Sequence, residues 1–245
     1  MNDPLITGQR LNALGQPIGL PLADTSPRPV PPRTDMVGRF CSVVPLSSDH
    51  ADDLFAAFRP DTEDRIWTYM PNGSYHDPAA FREWIDQAVT WDDPLMHAIV
   101  VDGGAVGYAS YLRISPASAS IEVGYITLSP ALQRTRAATE FQFLMMQRAF
   151  EELRYRRYEW KCDALNAASR KAALRLGFTF EGTFRQATHY KGRNRDTAWF
   201  SILDSEWPAL KQRFQRWLSP DNFDGHGMQK SALLSRLPAS PSAPK

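Results

Sequence analysis

The 245-residue sequence has only two cysteines, and it has neither a long apolar run nor a strong net charge. Cys41 and Cys162 lie far apart in apolar, strand-like runs, so we expect two free thiols and no zinc or other metal site. No apolar run reaches the roughly eighteen residues of a membrane span. The first residues, M-N-D-P-L-I-T-G-Q-R, lack the basic and apolar parts of a secretory signal. We therefore expect a cytoplasmic protein.

The net charge of +1 conceals an uneven distribution of charge. Residues 134–195 contain 14 Lys and Arg against six Asp and Glu, whereas the rest of the chain is acidic. A local excess of this kind attracts a small polyanion or a nucleic acid. The sequence has no nucleic-acid-binding motif, so a polyphosphate ligand is the simpler explanation. Solvated loop charge is the alternative.

The two ends of the sequence differ from its middle. Residues 1–36 contain seven of the 19 prolines and show little periodicity, which predicts a proline-rich arm. This arm is either disordered or wraps over its own domain or a neighbour's. Residues 37–208 are predicted to form one domain, and residues 209–245 an amphipathic helix followed by a loose end. The helix leaves open a contact in a homodimer.

The middle of the chain alternates strand and helix patterns. Strands are predicted near residues 38–46, 97–101, 105–114, 120–128, 158–162, 178–188 and 197–203. Helices are predicted near residues 47–58, 61–70, 77–89, 133–153 and 166–177. Leu174 and Leu176 are expected on the buried face of the last helix, and a polar turn at residues 190–196 joins the last two strands. This order predicts an α+β fold in which helices cover a sheet.

The strand at residues 120–128 and the helix after it carry the first functional signal. Apolar and polar residues alternate in this strand, so Glu122 is predicted on the face opposite Ile121 and Val123. Gly124 predicts a bulge or a close backbone approach, and a bulge would open a slot in the sheet. The helix begins with polar, basic or small residues at 133–139. Such a helix offers backbone N–H groups to an anion.

Three stretches carry a resemblance to a known family. They are Q-R-T-R-A-A-T-E at 133–140, N-A-A-S-R-K-A-A-L-R-L-G-F-T-F-E-G-T-F-R at 166–185, and D-T-A-W-F-S-I-L-D-S-E-W-P at 196–208. They resemble the GNAT superfamily of acetyltransferases, and within it the branch of the ribosomal-protein N-terminal acetyltransferases. The resemblance covers roughly residues 38–208. It implies a central mixed, mostly antiparallel, splayed sheet with helices on both faces.

The resemblance also implies acetyl-CoA as a co-substrate. The family's pyrophosphate loop, Q/R-x-x-G-x-G/A, is matched at Gln133 and Ala138 but has Arg136 in place of its first glycine. The pantetheine arm is expected along Ile126 and Leu128, with Asn166 beside it, although Asn166 also reads as a helix cap. Residues expected at the phosphates of CoA are Gln133, Arg134, Thr135, Arg136, Ala137, Ala138, Thr139, Arg170 and Lys171.

Acetyl transfer to an amine needs a neutral amine, a polarised thioester and a proton for the departing thiolate. In the family these proton transfers are assigned to a strand carboxylate and to a serine or tyrosine one helical turn after the asparagine. The corresponding residues are Glu122 and Ser169. Glu122 could instead be a solvated strand residue, and His189 and Tyr190 are weaker competitors for the role of base.

The acceptor is expected between the early helices and the last hairpin. Trp67, Tyr69, Tyr75 and His189 are the candidate acceptor-binding residues. Aromatic residues at helical spacing, such as Phe81 and Trp84, usually form core, but Trp67 and Tyr69 lie at a predicted helix end beside a loop. The acceptor is a peptide or small-molecule primary amine, with an aminoacyl-nucleotide or an antibiotic as the alternative because aromatic rings can stack on a base. A CoA-binding protein without catalysis is a further alternative. We expect neither nucleic acid nor membrane as a partner.

Overall fold

The structure, a computed structural model, describes residues 8–234. The first seven residues of the predicted arm and the last eleven of the predicted loose end lie outside the described residues. The strands are β1 Arg10–Leu11, β2 Pro17–Ile18, β3 Met36–Val37, β4 Ser42–Pro45, β5 Leu95–Val101, β6 Gly104–Ser115, β7 Ser120–Leu128, β8 Arg157–Asp163, β9 Thr179–Tyr190 and β10 Arg193–Leu203. The α-helices are α1 Ala51–Phe58, α2 Pro78–Val89, α3 Arg136–Gln147, α4 Ala167–Arg175 and α5 Trp207–Leu218.

A single eight-stranded sheet forms the centre of the fold, with the strand order β3-β4-β5-β6-β7-β8-β10-β9. All neighbouring strands in it are antiparallel except β7 and β8, which are parallel. Helices α1 and α2 form one core with the first half of the sheet, and α3, α4 and α5 form a larger core on the opposite face. The predicted α+β fold, with a mixed and mostly antiparallel sheet covered on both faces, is confirmed.

Local capping signals explain where several helices begin. The Ser47 side chain accepts from the N–H of Asp49, and His50 completes a capping box ahead of α1. Asp77 caps α2, with Pro78 at the first helical position. Helix α3 continues into a π-helical turn, Arg148–Glu152. These helices begin close to where the sequence predicts them.

Three local predictions are wrong. Residues 61–70 form only the 3-10 turn Arg65–Trp67, because Asp64 has a left-handed backbone, with φ of 55°, that interrupts a helix. Leu174 is 51% exposed while Leu176 is buried. Two positions along a helix correspond to about 200° of rotation, so both leucines cannot lie on one face. The last two strands are joined by a tight turn at Lys191 and Gly192, both with positive φ, which suits a hairpin between twisted strands.

The two ends of the described chain pack against the domain. The Tyr155 hydroxyl donates to the carbonyl of Pro29, and Arg148 Nη1 donates to that of Thr34, both in the arm. Helix α5 packs on α3, where Phe143 contacts the rings of Trp207 and Phe214. The tail helix therefore belongs to the core. No helix within residues 8–234 combines the length and apolar character needed to cross a bilayer.

Candidate active site

Strands β7 and β8 separate part-way along their length. They pair from Ser120 with Arg157 to Val123 with Trp160. Among the described strands, residues 124–128 then pair with β6 only and residues 161–163 with β10 only. Among the described residues, this part of β7 therefore has no partner strand on the side of the gap, which leaves room there for a ligand.

A bulge in β7 lies at the start of this gap. Tyr125 has a positive φ of 49°, and the register shifts between the pairs Ser110–Gly124 and Tyr108–Thr127. A Cβ placed on Gly124 would lie 2.7 Å from Leu112 Cδ2. The bulge thus occurs one residue after Gly124, and the glycine leaves room for the Leu112 side chain.

The first turn of α3 lies beyond the end of β7. Thr135 caps the helix: its Oγ1 accepts from the N–H of Ala138 at 3.1 Å and donates to the carbonyl of Leu132 at 2.7 Å. The N–H groups of Arg136 and Ala137 precede the hydrogen-bond ladder of the helix. They are therefore the backbone donors that the first turn offers to an anion.

The Arg136 side chain leaves this first turn sideways. Its guanidinium lies over the rings of Phe40, at 5.1 Å, and Phe223, at 4.5 Å. Gln133 Nε2 donates to the carbonyl of Leu128 at 3.0 Å, so the end of β7 is tied to the loop before α3.

The basic residues that were expected at the phosphates of CoA differ in exposure and in their contacts. Arg134 and Lys171 are exposed. Arg170 instead donates to the carbonyl of Ala164 at 3.0 Å and lies over the ring of Phe180. Thr139 is buried and accepts from Arg175 Nη1 at 3.2 Å, so its hydroxyl faces the protein rather than a ligand. The structure thus places Arg175, which was not nominated, beside the start of α3.

The start of α4 brings two predicted residues together. Asn166 caps the helix by accepting from the N–H of Ser169 at 3.0 Å. Ser169 Oγ accepts from Trp160 Nε1 at 3.0 Å, and Trp160 is the last residue of β8 that pairs with β7. Ser169 is therefore held beside the point at which the two strands separate. Asp163, which ends β8, also accepts from the Tyr190 hydroxyl at 2.8 Å; burial and this carboxyl raise the pKa of Tyr190 to about 12.

The Glu122 side chain lies on the face of the sheet opposite Ile121 and Val123, as the alternation of polar and apolar residues in β7 predicts. Its side chain is 3% exposed and accepts from Arg113 Nη1 at 2.9 and 2.8 Å. Lys161 Nζ lies 2.8 Å from Glu122 Oε2. The reading of Glu122 as a solvated strand residue is therefore wrong, because neighbouring strands supply two cations that cover it.

Comparison with known proteins shows which family the chain belongs to. A family model described as an acetyltransferase (GNAT) domain matches residues 42–179, which is more than half of the chain. The chain belongs to the GNAT acetyltransferase family. Its members are acyltransferases, and the gap between β7 and β8 and the capped start of α3 lie inside the matched region.

Two solved GNAT structures cover most of the chain. A GCN5-related N-acetyltransferase from Brucella melitensis is 48% identical, covers 86% of this chain and 97% of its own, and has a TM-score of 0.85. A probable GNAT acetyltransferase from Chromobacterium violaceum is 42% identical, covers 79% of this chain and 98% of its own, and has a TM-score of 0.73.

A curated relative is more distant. The protein named "Putative ribosomal N-acetyltransferase YdaF" from Bacillus subtilis is 26% identical over 113 residues, which are 46% of this chain. The chain thus matches 61% of the length of that relative. The name agrees with the branch of the GNAT family that the sequence resembles.

The GNAT residues predicted at the acceptor side are only partly where they were expected. Trp67 is 4% exposed and packs in the core against Phe58 and Tyr75, so it does not line a cleft. Tyr69 is partly buried, and its hydroxyl donates to the carbonyl of Leu165 at 3.3 Å. Tyr75 is half-buried, and burial raises its pKa. His189 is exposed on β9.

The GNAT hairpin β9–β10 also contacts this region through residues that sequence reasoning missed. Lys191 Nζ donates to the carbonyl of Trp67 at 2.8 Å, and Arg193 Nη2 donates to that of Thr68 at 2.6 Å. In the sequence, both residues stand out only as part of the basic segment 134–195. Their partners are backbone carbonyls about 125 positions earlier in the chain, and no local pattern reports such contacts.

Proposed function

We propose that this GNAT protein transfers an acetyl group from acetyl-CoA to a primary amine by direct attack. The observation that carries the proposal is the gap between β7 and β8, which has the first turn of α3 at one end and Ser169 at the other. The free edge of β7 suits an amide-containing pantetheine arm, and the N–H groups of Arg136 and Ala137 suit a pyrophosphate. The basic residues around α3 and α4 match the negative charge of CoA.

In this proposal Glu122 and Ser169 handle the protons from opposite faces of β7 and β8. The amine nitrogen forms a bond to the thioester carbon, and the bond from that carbon to sulfur breaks. Glu122 receives the proton of the amine, directly or through water, once Arg113 moves aside. Ser169 donates a proton to the departing thiolate and regains one from solvent, to which Glu122 returns the proton it received. The products are an amide and CoA.

We propose a protein or peptide N-terminus as the acceptor. The curated relative carries the name of a ribosomal N-acetyltransferase. On the face that bears Glu122, α1 and α2 pack on the first half of the sheet, which leaves the β8–β10–β9 half next to the site for an extended peptide. The alternative of an aminoacyl-nucleotide relied on exposed rings for stacking, whereas Trp67 is buried and Tyr69 and Tyr75 are partly buried.

The test is a thiol-release assay with acetyl-CoA and a panel of amines. The panel contains short peptides with free N-terminal serine, alanine or methionine, the same peptides already N-acetylated, and an aminoacyl-nucleotide analogue. We expect CoA release only with the free peptides, and a mass increase of one acetyl group on each. Binding of acetyl-CoA without release for any amine would instead support the non-catalytic alternative. Release with the nucleotide analogue alone would overturn the peptide acceptor.

A further inference from the structure

A row of alternating charges crosses the sheet beside Glu122, and Lys161 lies in its middle. Lys161 Nζ is 2.8 Å from Glu122 Oε2 and 2.7 Å from Glu159 Oε2. Beyond Glu159, Arg157 Nε donates to its carboxylate at 2.6 Å. On the other side, Arg113 binds Glu122. The row thus links β6, β7 and β8 through side chains on one face.

The side chain of Lys161 is buried. It is 5% exposed, and Nζ lies 3.8 Å from the centre of the Trp199 ring. Phe184 stacks on Trp199, with ring centres 4.4 Å apart, so two aromatic layers cover the ammonium. Arg113, the other cation on Glu122, has a side chain that is 60% exposed. The two cations are equally close to the carboxylate but differ in their access to solvent.

A buried ion pair of this kind is weak evidence for a role in stability. Removing two charges from water is costly, and well-packed apolar residues often replace such a pair without loss. Within residues 8–234, Lys161 has no backbone carbonyl as a partner; its contacts there are two carboxylates and an aromatic ring. A role in the chemistry at Glu122 explains the lysine better than a role in folding does.

We propose that Lys161 is a positioning residue that holds the charged Glu122 carboxylate in the orientation needed to receive the proton of the acceptor amine. This inference rests on the acetyl transfer proposed above. The same buried charge has a second effect, since a nearby cation disfavours the ammonium form of a bound amine. More of the acceptor is then in the neutral form that attacks the thioester.

Each charged neighbour of Glu122 enters the expected pH dependence. The charged or titratable groups on this face are Arg113 from β6, Tyr125 from β7, Lys161, Glu159 and Arg157 from β8, and Glu181 from β9. Strand β10 contributes Trp199 and Ser201, which do not titrate here. Lys161 and Glu159 are the matched pair for a test, because their charges are opposite and only Lys161 contacts Glu122.

The experiment measures kcat and KM against pH for the wild type, Lys161→Met and Glu159→Gln, with acetyl-CoA and the peptide that the panel selects. In Lys161→Met we expect kcat to fall about tenfold or more. The KM for acetyl-CoA should change less than about twofold, and the acid limb of the kcat profile should move to higher pH. In Glu159→Gln the limb should move to lower pH, because the positive charge of Lys161 is then less compensated.

General loosening of the fold cannot move the acid limb to higher pH in Lys161→Met and to lower pH in Glu159→Gln. Arg113→Gln serves as the exposed control, with a smaller shift that shrinks at high salt because exposed charges are screened. Melting temperatures identify any variant that is merely unfolded, and Glu159→Gln then carries the test alone. The inference would be overturned if the acid limb stayed at its wild-type position in both variants, or if it moved in the same direction in both. Absence of transfer by the wild type would overturn the proposed function and this inference together.

Discussion

Trp160 Nε1 donates a hydrogen bond to Ser169 Oγ across 3.0 Å. An indole N–H can only donate, so this bond occupies a lone pair of the serine oxygen and leaves the hydroxyl proton available. The N–H of Ser169 is bound at the same time to Asn166 Oδ1. Ser169 is therefore held through both its side chain and its backbone, and its hydroxyl can still give a proton to a thiolate.

Ser169→Ala should lower kcat about a hundredfold, because the departing thiolate loses its proton donor. The KM for acetyl-CoA should stay within about twofold, since the N-cap of α4 uses the backbone N–H of residue 169 and not its hydroxyl. Steady-state kinetics at saturating peptide give both values. Ser205→Ala, at an exposed serine, is the matched control. An unchanged kcat in Ser169→Ala would remove this residue from the mechanism.

Glu122→Gln should also lower kcat by about a hundredfold or more, because an amide cannot take up the amine proton. Glutamine keeps an oxygen for Arg113, and Lys161 keeps Glu159 as a partner, so the variant should fold. Isothermal titration with acetyl-CoA should give a Kd close to that of the wild type. Glu83→Gln on the exposed face of α2 is the control. Weaker acetyl-CoA binding with normal turnover would assign Glu122 a binding role instead.

Asn166 has two proposed roles that two substitutions separate. Asn166→Ala should lower stability by about 1 kcal/mol through loss of the N-cap, and Asn166→Asp should restore it because aspartate caps equally well. If the amide N–H₂ donates to the pantetheine, both variants should bind acetyl-CoA several-fold more weakly. Thermal unfolding and titration calorimetry measure the two effects separately. An aspartate variant with normal affinity would leave Asn166 as a cap only.

His97 gives the fold a predictable pH dependence. The side chain is fully buried, and its Nδ1 lies 3.1 Å from the carbonyl of Leu95. Burial lowers the pKa of His97 from its ordinary 6.5 to about 4, and the charges of Arg148 and Arg33 add to this. The unfolded chain takes up a proton below about pH 6.5, whereas the folded protein does so only below about pH 4. His97 thus destabilises the fold progressively as the pH falls between these values, by about 3 kcal/mol in all.

His97→Phe should therefore make the free energy of unfolding less dependent on pH in this window. Urea denaturation at pH 7 and pH 5 measures the difference for the wild type and the variant. His226→Asn, at an exposed histidine, should lose as much stability as the wild type does. If His97→Phe shows the full wild-type loss, other groups cause the acid sensitivity.

Individual residues show how far the sequence could predict the site. The roles expected for Asn166 and Ser169 came from the family resemblance, whereas their proximity follows from sequence spacing, because a helix cap and its first turn are local. Residues 61–70 were mistaken for a helix, because the left-handed backbone of Asp64 is not visible in a helix-like pattern. Trp67 was expected at the cleft because it lies near a loop, but its burial depends on Phe58 and Tyr75, which other segments bring to it.

The sequence by itself determined the elements, the face of β7 on which Glu122 lies and the resemblance to the GNAT family, because periodicity, caps and motifs are local properties. The tertiary structure alone decided which charges meet. The order of β6, β7 and β8 brings Arg113 and Lys161 to the two sides of Glu122. Strand order and register depend on the packing of the whole sheet, so the surroundings of the carboxylate could not be derived from its neighbours in sequence.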